Sequence, residues 1–227
     1  MKRLLTILLL MLSTLFATAQ SNNAGTLKFM GIPIDGTKKN MITQLKTKGF
    51  WYDTYDDCLK GQFNGKNVEI YVVTNHNVVY RIYVAYPLVS KSKIITEYNI
   101  LLDQFNRNKK YIANDNNEMI PADENLSYEM TVRNKKYEAG FCYISPDLFS
   151  DEEIDQIHQL ADKMTGMSFE EIQAMEQATS DSFQINMTQM MSTFNSIVWV
   201  TIHERYGKYQ IGIYYDNLKN RPNGEDL

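Results

Sequence analysis

The apolar and polar positions of the chain change period several times, and each change predicts a new element. A small polar lead-in at 20–26 gives way to Gly31-Ile32-Pro33-Ile34-Asp35-Gly36, which reads as an extended segment and turn. Thr37 then suits the N-cap of a helix carrying Met41, Ile42 and Leu45 on one side, with Gly49 at its C′ position. From Phe50 the period is two, which predicts strands over 50–56, 58–64, 67–74 and 78–86. From Ser92 to Asn106 it is helical again, with Ile94, Ile95, Tyr98, Leu101, Leu102 and Phe105 in one stripe that should lie across the sheet.

Beyond a polar stretch at 114–125, alternation predicts two more strands near 126–133 and 136–145, joined at Asn134-Lys135. Ser150-Asp151-Glu152-Glu153 is a capping box opening a helix with Ile154, Ile157, Ala161 and Met164 inward, ended by Gly166. A second box at Ser168-Phe169-Glu170-Glu171 and an apolar series from Phe183 to Phe194 predict two further helices.

Opposed residues in a hairpin must face the same way, which constrains register. In the first hairpin the rule predicts Val72 opposite Tyr80 and Ile70 opposite Ile82, around a three-residue loop Asn75-His76-Asn77. In the last, Val198, Val200 and Ile202 face the same way as Ile211, Ile213 and Tyr215 if Tyr206-Gly207 forms a two-residue type I′ turn. Trp199, Thr201 and His203 then fall opposite Tyr214, Gly212 and Gln210. The fold class is therefore α+β: an antiparallel sheet of hairpins packed against helices, with an inserted helical segment near 147–196. The expected organisation is one domain over 20–217, or two subdomains at 27–112 and 113–217, followed by a disordered tail at 218–227.

The N-terminus carries the compartment signal. Lys2 and Arg3 precede an apolar run from Leu4 to Leu12 and the small-residue site Ala17-Thr18-Ala19, the plan of a secretory signal peptide cleaved after Ala19. The run is too short for a stop-transfer helix and no cysteine follows it for a lipid anchor, so a secreted or periplasmic protein without stable membrane insertion is expected. There are 23 Lys and Arg against 27 Asp and Glu, a net charge of −4, and loss of Lys2 and Arg3 would leave it two units more negative. With no basic cluster, nucleic acid is not an expected partner. Cys58 and Cys142 are the two cysteines. Bridged, they would close a loop of about 85 residues for roughly 4–5 kcal/mol in the chain-entropy model; unbridged in apolar surroundings, they act as small hydrophobes.

The phrases Phe29-x-Gly31-Ile32-Pro33-Ile34-Asp35-Gly36, Leu45-x-x-x-Gly49-Phe50 and Tyr215-Asp216-Asn217 carry a resemblance to uncharacterised secreted bacterial proteins that open with a GIPIDG-helix-GF phrase and end on a β-hairpin. The architecture this resemblance implies is similar to β-lactamase-inhibitor-protein-like α+β domains. It covers 27–110 and about 197–217, and segment 147–196 departs from it. No functional residues come with it.

Candidate chemistry is sparse. His158 shares a helical face with Asp151, Asp155 and Asp162, a set with metal-ligand types but without HExxH-type spacing; the competing reading is a charged solvent face. Ser90-Lys91-Ser92-Lys93 spells S-x-x-K at a helix start, where serine is also wanted as a cap. Met164, Met167, Met187, Met190 and Met191 have spacings that suit Cu(I) and also ordinary core, and Asp53, Asp56 and Asp57 could gather on calcium. No catalytic, cofactor or metal site is assigned. What remains is a sheet face with Glu69, Tyr71, Arg81, Tyr83, Trp199, His203 and Tyr214, aromatic residues with an arginine, the composition of recognition surfaces. The expected function is a secreted or periplasmic non-catalytic binding module for a protein or other extracellular ligand. The alternatives are a small secreted hydrolase acting on cell-envelope or host material and a metal-binding periplasmic protein.

Overall fold

The computed structural model describes residues 25–114, 117–164, 195–222 and 224. The leader, the helices expected from 168 and 182, and Met167, Met187, Met190 and Met191 lie outside the described residues.

An eight-stranded antiparallel sheet organises the chain. Its strands are β3 (Trp51–Asp53), β4 (Cys58–Phe63), β5 (Lys66–Asn75), β6 (Val78–Ala85), β7 (Tyr111–Ala113), β8 (Glu138–Tyr143), β9 (Ser196–Arg205) and β10 (Lys208–Asn217), in spatial order β3-β4-β5-β6-β10-β9-β8-β7. β1 (Lys28–Phe29) and β2 (Ile32–Pro33) form a separate two-stranded ribbon. The fold is thus α+β, as the alternation predicts. The edges β3 and β7 are three residues each, short enough to offer little template for another chain.

One face of the sheet is the core. Leu59, Ile70, Ile82, Val84, Ile213, Ile211, Val200, Val198 and Phe141 are buried along it. Across them lie α1 (Lys38–Thr47), against β5, and α2 (Lys91–Asn106), against β10 and β7. All six residues of the predicted α2 stripe are buried. α1 begins where Thr37 accepts the Asn40 N–H at 3.3 Å. It ends in a Schellman motif: Phe50 N–H donates to Leu45 O, Gly49 N–H to Lys46 O, and Gly49 takes φ +94.

The closing hairpin has the expected register throughout, with Trp199 opposite Tyr214, Thr201 opposite Gly212 and His203 opposite Gln210. Tyr206 and Gly207 both have positive φ, as a type I′ turn requires. The first hairpin differs. Val72 pairs with Ile82 and Ile70 with Val84, and a bulge between Val73 and Thr74 leaves Tyr80 unmatched. The extra residue turns Val79 inward in place of Val78 and closes the loop on His76-Asn77, both at positive φ.

Two further expectations are corrected. Residues 126–131 are helix α3 (Leu126–Thr131), not a strand: Asn125 caps it by accepting the Tyr128 N–H, and only Leu126 is buried. The last described helix, α4 (Asp151–Met164), opens on the predicted box, with Ser150 N–H donating to Glu153 Oε2 at 2.8 Å and Glu153 N–H to Ser150 Oγ at 3.3 Å. Residues 218–220, expected in the tail, instead form a 3-10 turn whose Asn220 amide donates to Asp35 Oδ1 and Val79 O. Of the two readings open for the cysteines the unbridged one holds, since both thiols are free and buried. Cys58 on β4 and Cys142 on β8 stand five strand spacings apart, about 24 Å at the usual 4.8 Å, far beyond disulfide reach.

The opening and closing phrases that carried the resemblance meet in space. The Asn217 side chain donates to Ile34 O at 2.9 Å, and Val79 N–H donates to Gly36 O at 2.8 Å. Here these residues latch the N-terminal segment to the sheet.

Candidate functional site

The face opposite the core holds the aromatic residues singled out by alternation. Because β6 pairs with β10, the two hairpins join, and Tyr71, Tyr83, Tyr214, Trp199 and Gly140 fall in one row across β5, β6, β10, β9 and β8. Tyr71 and Tyr83 stack with centroids 5.8 Å apart, Tyr83 and Tyr214 at 4.6 Å. All four ring-bearing members are partly buried.

Two glycines make room for the rings. A Cβ at Gly212 would lie 2.8 Å from Tyr83 Cε2, and one at Gly140 would lie 2.8 Å from Trp199 Cζ3. Tyr83 therefore leans over β10, and Trp199 over β8. The backbone of Gly140 is held by Asn117, whose side chain accepts from its N–H and donates to its C=O at 2.9 and 2.7 Å.

Polar groups flank the row. Arg81 donates from Nε and Nη2 to the two oxygens of Asp216, both at 2.6 Å, and its guanidinium sits 4.9 Å from the Tyr214 ring centroid. Asp216 is buried, so this fork is an internal fixture of the face. His203 Nε2 lies 2.8 Å from Thr201 Oγ1 and 3.1 Å from Tyr214 Oη. Burial, then the positive charge of Arg205, lowers the His203 pKa from its ordinary value. Burial pushes the Tyr83 hydroxyl up to about 12, and burial followed by the hydrogen bond to Glu69 raises Tyr71. At neutral pH the face therefore presents phenols and a neutral imidazole.

The first helix of the predicted insertion covers one end of this face. Ile112 on β7 and Ile144, which continues the alternation of β8, point to the same side as Trp199, and they pack with Ile154 and Ile157 of α4. Lys109 secures the helix by pairing with Asp155 and accepting a contact from His158 Nε2 at its carbonyl, 2.8 Å away. Asp155 and His158 are thus docking contacts.

The other sequence candidates are dispersed. His76 is in the β5–β6 turn. Lys93 pairs with Glu97, 3.8 Å away, and Ser90 sits at the N-cap of α2. Asp53 and Asp56 share Lys60, at 2.8 and 2.6 Å, and Asp57 takes Lys38 at 2.6 Å together with the Tyr52 hydroxyl. These lysine bonds come first among the causes that hold Asp53 and Asp57 below the usual carboxylate range. Among the described residues no group of three or more His, Cys, Asp or Glu is arranged to hold a metal ion. No described helix is long and apolar enough to cross a membrane.

Sequence reasoning missed Asp216, the fork's acceptor, and the role of Gly140 and Gly212. Gly212 had a visible signal, since the predicted register set it beside Tyr214 in a strand otherwise rich in large residues. The joining of β6 to β10 had none, because these strands are far apart in the chain. Comparisons with protein-family models, with curated proteins and with solved structures find no match.

Proposed function

We propose that the protein is a non-catalytic binding module that works outside the cytoplasm and recognises a protein or another extracellular ligand through the outer face of its sheet. The observation that carries this reading is the continuous row Tyr71-Tyr83-Tyr214-Trp199, braced by the Arg81–Asp216 fork and seated on glycines. Rigid aromatic side chains with few rotamers left to lose contribute large contact area at low entropic cost, which is the usual make-up of binding hot spots.

The extracellular assignment rests on Lys2-Arg3, the Leu4–Leu12 run and Ala17-Thr18-Ala19. Two thiols shut away from solvent are compatible with oxidising surroundings.

The test is capture by the tagged full chain in its native culture, comparing wild type with the Tyr83→Ala, Trp199→Ala double variant, each checked by circular dichroism. Loss of the copurifying partner from the folded variant is expected. Retention of every partner by that variant overturns the assignment of the face.

A further inference from the structure

β8 ends before β9 does. Tyr137 O accepts the Ile202 N–H at 3.1 Å, and beyond it His203, Glu204 and Arg205 pair with β10 alone. In an antiparallel ladder, the backbone groups of alternate residues point to the same side, so the N–H and C=O of Glu204, like those of Ile202, turn away from β10. The C-terminal end of α3 stands opposite. Between them is a concavity of about 460 Å³, walled by Met130 and Thr131 of α3, by the β9 edge at Ile202 with His203 and Arg205, and by Tyr83 of the aromatic row. That volume is in the range of small-molecule sites.

The lining is chemically asymmetric. Met130 and the ring of Tyr83 supply apolar surface, while Arg205 brings a guanidinium that forms no hydrogen bond or ion pair among the described residues. The nearest carboxylate in the lining, Glu204, is turned to the hairpin, where its Oε1 accepts the Gly207 N–H at 2.9 Å. Its positive charge also reaches His203 and the Tyr83 hydroxyl, where it favours the deprotonated form of each. An uncommitted guanidinium fork matches a carboxylate geometrically.

The geometry points to a site for a small organic carboxylate with an apolar body, its carboxylate on Arg205 and its body between Met130 and the Tyr83 ring. The inference deepens the recognition reading because Tyr83 belongs to both surfaces. Its test needs no macromolecular partner, so an empty pocket and a failed partner capture are separate results.

The experiment is calorimetric titration of the full chain with benzoate, with inorganic phosphate and with benzylamine, supported by the ¹³C-methyl resonance of Met130 assigned through Met130→Leu. Benzoate should saturate one site per chain and shift that resonance, phosphate should bind more weakly, and benzylamine should give no saturable heat. Arg205→Gln removes the charge at an exposed side chain, and Thr131→Phe fills the cavity from an exposed helix position. Each should weaken benzoate by about tenfold or more, roughly 1.4 kcal/mol at the usual conversion. The proposal is overturned if benzoate does not saturate, if phosphate or benzylamine binds as well as benzoate, or if both variants bind like wild type.

Discussion

Gly212→Ala isolates the contact that seats the aromatic row. The added methyl would lie 2.8 Å from Tyr83 Cε2 and 3.1 Å from both Tyr83 Oη and His203 Nε2. The carbon contact is nearly 1 Å inside the optimum of about 3.5–4 Å. Tyr83 has little freedom to move aside, since Tyr71 stacks on it at 5.8 Å and Tyr214 at 4.6 Å. Overpacking of this kind costs roughly 1–3 kcal/mol, and each aromatic pair put at risk is worth about 0.5–1.5 kcal/mol. Against this, alanine stiffens the unfolded chain for a gain of about 0.5–1 kcal/mol. Gly212 has no positive φ to add strain. The net expectation is a loss of about 1–2 kcal/mol, or roughly 3–6 °C in Tm for a domain of this size. Urea unfolding of wild type, Gly212→Ala, Tyr83→Ala and the double variant completes the cycle. With the ring gone only the His203 Nε2 contact at 3.1 Å remains, so Gly212→Ala should cost clearly less on the Tyr83→Ala background. An equal cost on both backgrounds would refute the reasoning.

Arg81→Met strands the buried Asp216 carboxylate; with Arg81 itself partly exposed, about 2–3 kcal/mol should be lost in urea melts, and a loss below about 0.5 kcal/mol would mean the fork carries no weight. Both thiols should resist a disulfide-exchange reagent in the native protein and react in denaturant without prior reduction, and reductant should leave Tm unchanged; two thiols that appear only after reduction would contradict the strand order. Burial and Arg205 hold the folded His203 pKa below the ordinary 6.5, so the unfolded chain takes up the proton first as pH falls. Its contribution to stability is therefore full above about pH 6.5 and is lost below it. His203→Gln should show a smaller drop in urea midpoint between pH 7 and pH 5 than wild type, and identical drops would assign the ring to solvent.

The β9–β10 hairpin was legible because its pattern is unbroken: five alternations on each strand around Tyr206-Gly207 leave a single register that keeps Val200 and Ile213 together. The β5–β6 hairpin also alternates apolar and polar positions, yet its register was misjudged. A bulge adds one residue without changing the apolar count, and Val78 and Val79 are equally plausible inward residues until Tyr80 is known to be unmatched. α3 shows the converse failure. Leu126, Tyr128, Met130 and Val132 alternate like a strand, but Tyr128 and Val132 are exposed, so the alternation records no buried face. β7 was missed because three residues give no period to read. The site followed the same logic: Tyr71, Tyr83, Trp199 and Tyr214 could be assigned to the outer face by parity alone, whereas their union into one row needed the β6–β10 pairing, which no local pattern encodes.

The central claim, that the row is the recognition surface, is tested most directly by the emission of Trp199. The chain has two tryptophans, and Trp51 on edge strand β3 is 56% exposed, so Trp51→Phe leaves Trp199 as the sole reporter. The account predicts that adding the partner captured from the native culture shifts or quenches Trp199 emission in step with complex formation. Complex formation with the emission spectrum unchanged would contradict it.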